Sequence, residues 1–256
     1  MRQPIVFVTD YGRDDAYAAA LTGAAWGVDP EAVCVEGTHG VPAGDVLAGA
    51  YHLKGLALAF PPGTVLCAVV DPGVGTDRRA IATEAGGVRC VAPDNGLVSY
   101  LWAEADPANR LAVRLEVPAG AAPTFHGRDV FAPAAAALAS GIRLAEAGAP
   151  ISDPIVLADA FARRTATAVA GRVIVIDHFG NAITNIRAAD IGEGPVRTIT
   201  WPAGSASGLV RTYADIGDAP AALLGGAGHL EIAGCGLAAA TAGGPRLGDA
   251  VSVEFA

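Results

Sequence analysis

The sequence predicts an α/β protein, with a mostly parallel, helix-flanked sheet in the N-terminal part and a smaller antiparallel β domain after it. Two patterns support this prediction. Short apolar, β-branched runs alternate with Ala-rich stretches of helical length in the first half, whereas short strands punctuated by glycine fill the last third. The chain has 256 residues, which is enough for one large domain or two modest ones.

The N-terminal part has the order βαβαβ and continues with further strands. Continuous apolar strands joined by helices are typical of a parallel sheet that is covered on both faces, with right-handed crossovers. The predicted strands are Pro4–Thr9, Ala32–Glu36, Thr64–Val70, a strand near Ile81, Val88–Ala92 and Leu111–Val117, and the predicted helices are Asp14–Trp26, Gly44–Phe60, one after Asn95 and one after His126.

A domain boundary is predicted within Ala147–Arg164, which contains two prolines and several turn residues. We therefore expect an N-terminal α/β domain of residues 1–164 and a C-terminal domain of residues 165–256. The spacing of the later strands favours a small antiparallel barrel or sandwich, with little helix except near Leu237. These strands are Ala170–Asp177, Ala182–Arg187, Val196–Trp201, Ala221–Leu224, His229–Ala233 and Ala250–Phe255.

Composition excludes several classes of protein. The net charge is −9, from 17 Lys and Arg against 26 Asp and Glu, so nucleic acid is not an expected partner. No apolar run reaches the roughly 18–20 residues that span a bilayer, and no signal peptide precedes the first strand, so we expect a cytoplasmic protein without a membrane partner. Scattered cysteines without a CxxC motif predict buried, reduced thiols rather than a zinc site or a disulfide framework.

Carboxylates follow two predicted parallel strands, at the sheet edge where α/β proteins bind ligands. Asp10 follows the first strand, and there it suits a ribose diol or a metal ion; Asp10 or Asp14 alternatively caps the next helix. Asp71 follows the third strand, and the Pro-Gly turn after it brings Arg78 back towards the carboxylate. The alternative is a tight turn with a surface ion pair.

Two further segments carry candidate functional side chains. His126 lies in the polar FHGRD segment at the start of an apolar helix, where it either orients a neighbouring acid and shares its proton or is simply structural. A predicted hairpin loop contains Asp177, Phe179 and Asn181, which offer a carboxylate for an ammonium group, an aromatic surface for a base and an amide for an adenine edge. Such residues also build ordinary turns.

Four segments in this order, VTDYGRDDAY, VVDPGVGTDRR, PTFHGRDVFAP and IDHFGNAITNI, resemble the S-adenosylmethionine hydroxide adenosyltransferase family over nearly the whole chain. This family is related to the fluorinase and chlorinase enzymes. The resemblance implies an N-terminal α/β domain, a C-terminal β-barrel and a homotrimer with active sites between subunits. It also implies hydrolysis of S-adenosylmethionine to adenosine and L-methionine by water attacking the ribose C5′, with no metal or other cofactor.

The resemblance also implies roles for individual residues. The family's water-activating Asp, Arg and His match Asp71, Arg78 and His126, and its ribose-diol carboxylate matches Asp10. Its substrate contacts from the second domain match the hairpin loop that contains Asp177, Phe179 and Asn181. Two more candidate substrate contacts, Phe125 and Gly127, belong to the same motif as His126.

The chain departs from the family pattern near its C-terminus. Where the family has an Asn-Ser-Ser-Gly-like turn, residues 225–228 read Gly-Gly-Ala-Gly, so hydroxyl contacts to the methionine carboxylate are lost or replaced by backbone N–H groups. Glu231, in the strand that follows, is a candidate partner for the substrate ammonium, with an ordinary strand-surface carboxylate as the alternative.

Three alternative activities are left open. Related halogenases carry an uncharged tyrosine where Asp71 stands and a different pair at His126-Gly127, and a carboxylate there would repel a halide. The Thr9–Ala16 segment also resembles the calcium-binding segment of nucleoside hydrolases, in which clustered carboxylates hold the ion. The last alternative is a protein that binds adenosine or S-adenosylmethionine without turnover.

Overall fold

The computed structural model describes residues 2–235, 239 and 243–256, and it divides the chain into two compact units, Met1–Leu157 and Ala158–Ala256. In the first unit the strands are β1 (Ile5–Thr9), β2 (Cys34–Thr38), β3 (Val65–Val69), β4 (Ala80–Ala85), β5 (Val88–Pro93), β6 (Arg110–Leu115) and β7 (Ala149–Ile151). The α-helices are α1 (Tyr17–Val28), α2 (Val46–Ala59), α3 (Ser99–Glu104), α4 (Ala132–Ala139) and α5 (Leu144–Ala147).

Strands β1–β7 form one mixed sheet in the order β2-β1-β3-β5-β4-β6-β7. The pairs β1–β2, β1–β3 and β3–β5 are parallel, whereas β4 pairs antiparallel with both β5 and β6. Most strands of the sheet therefore point the same way, as predicted, with β4 and the edge strand β7 reversed. This order brings the carboxyl ends of β1, β3 and β5 to one edge.

Both faces of β1 are covered, which explains its uninterrupted apolar sequence. Ile5 and Phe7 belong to a buried cluster that includes Leu21 of α1 and the apolar side of α4. Val6 points to the opposite face, because a Cβ placed on Gly37 would contact both Val6 and Leu56 of α2. The sheet is thus flanked by helices, as predicted.

The predicted helix from Asp14 begins three residues later, at Tyr17. The residue preceding α1 is Ala16, and its side chain supplies no capping hydrogen bond. Neither Asp10 nor Asp14 therefore caps α1, and that interpretation of the two carboxylates is wrong. Helix α2 does have a side-chain cap, because Asp45 accepts a hydrogen bond from the Ala48 N–H at 2.9 Å.

In the second unit the strands are β8 (Arg163–Arg164), β9 (Ala168–Ile176), β10 (Ala182–Arg187), β11 (Val196–Trp201), β12 (Gly204–Ala206), β13 (Ala221–Leu224), β14 (His229–Ala233) and β15 (Ala250–Phe255), and a short helix is α6 (Ala188–Ile191). They form an antiparallel sheet in the order β12-β11-β15-β9-β10-β14-β13, with β8 beside β9. The Val210 N–H, after β12, donates to the Ala222 carbonyl in β13 at 2.8 Å, so the two ends of the sheet nearly close into a barrel. The predicted helix near Leu237 lies outside the described residues.

The units divide between Leu157 and Ala158, seven residues before the predicted boundary at 164/165. The intervening segment is attached to the second unit by polar contacts. Strand β8 pairs with β9, and Asp159 forms an ion pair with Arg172 and accepts a hydrogen bond from Asn185 through its carbonyl. The composition predicted a linker in this segment, but these contacts show that residues 158–164 belong to the second unit.

Candidate functional site

Asp71 and Arg78 form a bidentate ion pair beyond the end of β3. The chain reverses at once after Asp71, because the Val74 N–H donates to the Asp71 carbonyl and the Thr76 hydroxyl donates to the Gly73 carbonyl. This turn returns Arg78 to the carboxylate, with Nε 3.0 Å from Oδ1 and Nη2 2.5 Å from Oδ2. The side chains are only 5% and 10% exposed, so the pair is not the surface ion pair of the alternative interpretation.

His126 is joined to the same guanidinium. Arg78 Nη2 lies 2.8 Å from His126 Nδ1, and because a guanidinium only donates, Nδ1 must accept. The proton of the neutral ring is therefore on Nε2. Burial first, and then the charge of Arg78, hold the pKa of His126 below its ordinary value, although Asp71 and Asp129 oppose this shift.

Arg78 also contacts an aromatic ring, and one of its terminal amino groups is left without a hydrogen bond within the described part of the chain. Its guanidinium carbon lies 5.2 Å from the ring centroid of Phe131, in a cation–π contact. Among the described residues, no hydrogen-bond partner is found for its buried Nη1 atom. Phe131 ends a π-helical turn, Gly127–Phe131, that precedes α4; such turns are frequent at functional sites.

Asp10 lies at the same edge of the sheet, directly after β1. Its Oδ2 accepts a hydrogen bond from the Gly44 N–H at 2.8 Å, which ties the carboxylate to the loop before α2. Asp14 and Asp15, in contrast, are exposed. The structure therefore places Asp10, but not its two acidic neighbours, beside Asp71.

Tyr11 and His39 were not singled out in the sequence, yet both shape this edge. The Tyr11 ring makes edge-on contacts with Tyr17 and Phe125, and its hydroxyl occupies the space beside Gly127, where an added Cβ would lie 2.1 Å away. Burial raises the pKa of Tyr11 well above its ordinary value. The sequence signal that could have identified Tyr11 is its position directly after Asp10, the carboxylate that follows β1.

His39 follows β2 and supports the loop after β1. Its Nδ1 lies 2.8 Å from the Thr9 hydroxyl, and its carbonyl accepts a hydrogen bond from the Gly12 N–H. Burial lowers the pKa of His39, which favours the neutral ring in this buried position. His39 therefore fixes the backbone on both sides of Asp10 and Tyr11.

These side chains surround a pocket of about 200 Å³ in the first unit. Asp10, Asp71, His126 and Gly127 all contribute to its wall, together with Tyr11, Gly44, Val69, Pro72, Val74 and Thr124. Phe125 supports Tyr11 from behind and Arg78 holds Asp71 and His126. The first three motifs of the sequence thus converge in space.

The predicted hairpin loop of the second unit is built around Asp177. Oδ1 accepts hydrogen bonds from the Phe179 and Asn181 N–H groups, and Oδ2 accepts one from the Asn181 side-chain amide at 2.9 Å. Asn181 is buried, whereas Phe179 is 76% exposed. The hydrogen bonds to Asp177 therefore fix the backbone of the loop, and the Phe179 ring projects from it into solvent.

Glu231 is buried in β14, so its interpretation as an ordinary strand-surface carboxylate is wrong. Its Oε2 accepts a hydrogen bond from the Tyr213 hydroxyl at 2.7 Å, a contact that the sequence did not suggest. Burial first, and also the charge of Asp177, raise the pKa of Glu231, while the hydrogen bond from Tyr213 opposes the shift.

The glycine-rich turn at residues 225–228 fits this buried glutamate. A Cβ on Gly225 would lie 1.7 Å from Glu231 Oε1, so a side chain at this position would collide with the carboxylate. The turn is closed by backbone hydrogen bonds, from the Gly225 N–H to the His229 carbonyl and from the Gly228 N–H to the Gly225 carbonyl. Any side chain at position 225 would therefore require the Glu231 carboxylate to move from the position it has here.

The described residues contain no group of three or more His, Cys, Asp or Glu side chains arranged to hold a metal ion. Cys67 and Cys90 are buried free thiols, as predicted, but Cys34 is half-buried and Cys235, in the loop after β14, is exposed, so the prediction of buried thiols is wrong there. In the part of the chain that the structure describes, no helix has both the length and the apolar character needed to cross a membrane.

Comparison with known proteins assigns this arrangement to a family. The N-terminal domain model of the SAM hydroxide adenosyltransferases matches residues 5–148, and the C-terminal domain model matches residues 171–252. The chain belongs to the SAM hydroxide adenosyltransferase family. The four sequence motifs predicted this membership, and both parts of the fold agree with it.

Relatives of the adenosyltransferase family include hydrolases and halogenases. A protein of Thermus thermophilus named (R)-S-adenosyl-L-methionine hydrolase is 38% identical over 243 residues, which cover 90% of this chain and 91% of the relative. A fluorinase of an Actinoplanes species is 30% identical over 270 residues, covering 90% of each chain. The crystal structure of an uncharacterized conserved protein from Thermotoga maritima has a TM-score of 0.83 at 28% identity and covers 97% of this chain and 99% of that one.

Proposed function

We propose that this adenosyltransferase-family protein hydrolyses S-adenosyl-L-methionine to adenosine and L-methionine. The observation that carries the proposal is the buried Asp71–Arg78–His126 arrangement on the wall of a strand-end pocket. The Thermus thermophilus relative is named for the (R) form of this substrate, and we extend that preference to the present chain.

Asp71 is the proposed base. A water molecule attacks the ribose C5′, the new C–O bond forms as the C5′–S bond breaks, and methionine leaves as a neutral thioether with the electron pair. Asp71 accepts the proton of the water during attack, because a free hydroxide is costly when the pKa of water is about 15.7. The sulfonium is already a good leaving group, so positioning of the water is the main requirement.

Arg78 and His126 position the base and the water in this mechanism. Arg78 holds both oxygens of the carboxylate and, through Nη2, the Nδ1 atom of His126. The Nε2–H of the neutral imidazole then serves as a donor to the attacking water. Asp10 is the proposed acceptor for the ribose hydroxyls, since it lies on the same pocket.

The remaining substrate contacts are proposed to come from the second unit, with Phe179 against the base, Asn181 at its edge, and Asp177 and Glu231 towards the ammonium of methionine. Two observations support a further wall for the site. The pocket of about 200 Å³ is smaller than the roughly 300–1,000 Å³ of typical ligand sites, and Phe179 is largely exposed. We propose that the protein assembles as a homotrimer with its active sites between subunits. We also propose that it is a cytoplasmic protein.

Halogenation is the nearest alternative, because a fluorinase is among the relatives. Asp71 is negatively charged, buried and on the pocket wall, where it would repel a halide ion but attract the proton of a water molecule. Nucleoside hydrolysis through a calcium site gains no support from geometry, because Asp14 and Asp15 are exposed and the described residues form no metal-binding group.

The test is product analysis of the purified protein with the (R) and (S) epimers of S-adenosylmethionine, with and without EDTA, chloride and fluoride. Adenosine and methionine in equal amounts, unaffected by EDTA, support the proposal. A 5′-halogenated adenosine indicates a halogenase, adenine indicates an N-glycosidase, and binding without product indicates a binding protein.

The trimer has its own test. Light scattering gives the mass, and the Asp71→Asn and Phe179→Ala variants are then mixed during co-expression. If one site takes Asp71 and Phe179 from different chains, mixed trimers contain some intact sites and exceed the activity of either parent. A fully active monomer of 25.5 kDa would contradict the assembly but not the reaction.

A further inference from the structure

The loop that carries Asp71 and Arg78 crosses over the end of another strand. It joins β3 to β4, and in the sheet β5 lies between these two strands. Residues 70–79 must therefore pass across the carboxyl end of β5, where Asp94 and Asn95 directly follow Pro93. Each of these two residues contacts one end of the crossing loop.

Asn95 holds the first end of the loop. Its Nδ2 donates to the Val70 carbonyl at 2.8 Å, and Val70 is the fully buried residue that precedes Asp71. The regular β3–β5 pairing ends earlier, at Cys67 opposite Val91. The Asn95 amide therefore extends the fixed part of β3 up to Asp71, while its Oδ1 accepts from the Leu97 N–H at 3.3 Å.

Asp94 holds the second end of the loop. Its N–H donates to the Arg79 carbonyl at 2.9 Å, and its Oδ2 accepts from Arg79 Nε at 2.6 Å. The other oxygen accepts from the Ile155 N–H at 2.7 Å, and the side chain is only 1% exposed. Arg79 directly follows Arg78, so this buried carboxylate fixes the residue next to the guanidinium.

We propose that Asp94 and Asn95 are positioning residues, which set the separation and orientation of Asp71 and Arg78 without touching the substrate. The inference rests on the proposed function of that pair. Asn95 fixes Val70 on one side of β5 and Asp94 fixes Arg79 on the other, so the two loop ends are held by adjacent residues of one rigid strand end. A displacement of 1 Å in such a site costs on the order of 100-fold in rate.

The sharpest test is Asn95→Asp. This change keeps the shape and the acceptor for the Leu97 N–H, but it places an oxygen instead of an N–H against the Val70 carbonyl. We expect kcat to fall by about 10- to 100-fold while KM changes by no more than about twofold, because the substrate-contacting side chains are unchanged. Asp94→Asn keeps an acceptor for Ile155 and tests the other end if the first variant does not fold.

Ser99→Ala is the matched control. Ser99 is also buried, donates to the Gly96 carbonyl and accepts from the Leu157 N–H, so its loss lowers stability without touching either end of the loop. We expect this control to lower Tm and to leave kcat unchanged. If Asn95→Asp and Asp94→Asn change kcat no more than the control at equal loss of Tm, the positioning role is wrong.

A second readout separates this inference from the proposed function. ¹⁵N shifts of the His126 ring report its contact with Arg78 and need no turnover. We expect Asn95→Asp to shift the Nδ1 and Nε2 signals and Ser99→Ala to leave them in place. If the parent protein shows no turnover of S-adenosylmethionine, the proposed function is wrong. If the His126 ring signals are the same in Asn95→Asp as in the parent protein, the positioning role is wrong.

Discussion

Arg78 Nη2 donates a hydrogen bond to His126 Nδ1 over 2.8 Å, and the same guanidinium donates hydrogen bonds to both carboxylate oxygens of Asp71. One arginine therefore sets the orientation of a carboxylate and the tautomer of an imidazole. Because a guanidinium has donors only, the carboxylate remains the proton acceptor of the group, and the imidazole keeps Nε2–H as its donor. This division of roles leads to the first two predictions.

Asp71→Asn keeps the shape of the side chain but removes the proposed base. We expect kcat for adenosine formation to fall by about 10²–10⁴-fold, with substrate binding measured by calorimetry nearly unchanged. Asp77→Asn, at an exposed position of the same loop, is the control and should retain full activity. Retention of most of kcat in Asp71→Asn would show that Asp71 is not the base.

Two substitutions of His126 separate its two ring nitrogens. The amide of His126→Gln retains a donor near the position of Nε2, whereas His126→Asn retains an acceptor near Nδ1 for Arg78. The proposed mechanism uses the Nε2–H. We therefore expect kcat of the glutamine variant to be at least about tenfold higher than that of the asparagine variant, which is a typical rate contribution of one hydrogen-bonding group. The reverse order would indicate that His126 acts only by supporting Arg78.

The lowered pKa of His126 also predicts the pH dependence. The unfolded value is about 6.5, and the folded ring binds a proton less readily, so the ring stays neutral at pH 7 and activity should fall only below about pH 6.5. In the same window the unfolded chain takes up the proton more readily, so the contribution of His126 to stability is lost as pH falls from 6.5 through the folded pKa. Rate and urea-unfolding profiles between pH 5 and 8 measure both effects.

Gly127→Ala tests the close packing of Tyr11 in the pocket. The new Cβ would lie 2.1 Å from the Tyr11 hydroxyl oxygen, so the ring must move, at a cost of about 1–3 kcal/mol in the free energy of unfolding. In a Tyr11→Phe background this cost should fall, since the clashing oxygen is gone. Gly23→Ala in α1 meets no atom within 4 Å and is the control; equal costs in both backgrounds would contradict the prediction.

Glu231→Gln should stabilise the fold at neutral pH. Burial raises the pKa of Glu231, so ionisation is penalised in the folded state, and that penalty is present above the folded pKa and absent below the unfolded value of about 4.3. We expect a higher Tm at pH 8, by roughly 2–4 °C for each kcal/mol, and no difference near pH 4. The same variant should raise KM for S-adenosylmethionine, if the carboxylate binds the ammonium group.

The predicted rise in KM for Glu231→Gln needs a separate control. Tyr213→Phe removes the hydrogen bond to Glu231 Oε2 but keeps the carboxylate and its charge. It should lower stability and leave KM less affected than Glu231→Gln does. A glutamine variant that is less stable at pH 8 than the parent protein would show that the buried carboxylate has an unseen favourable partner.

Local sequence signals predicted most elements of the fold. In the second unit the strands β10, β11, β13, β14 and β15 begin and end where they were expected, because glycine and other turn residues flank their short apolar runs. Strand β12 was missed, since Gly204–Ala206 has no apolar pattern and is defined only by its pairing with β11. The start of α1 was misplaced because no side chain caps it.

The sequence by itself determined the order of elements, the family and the identity of the strand-end carboxylates, because these depend on residue type and local spacing. The tertiary structure decided which of them act together: it brought His126 to Arg78 across 48 positions, left Asp14 and Asp15 exposed, and buried Glu231 against Gly225. It also revealed Tyr11, His39 and the Asp94–Asn95 pair. Contacts between residues far apart in the chain depend on sheet order, and sheet order is set by packing that no short segment encodes.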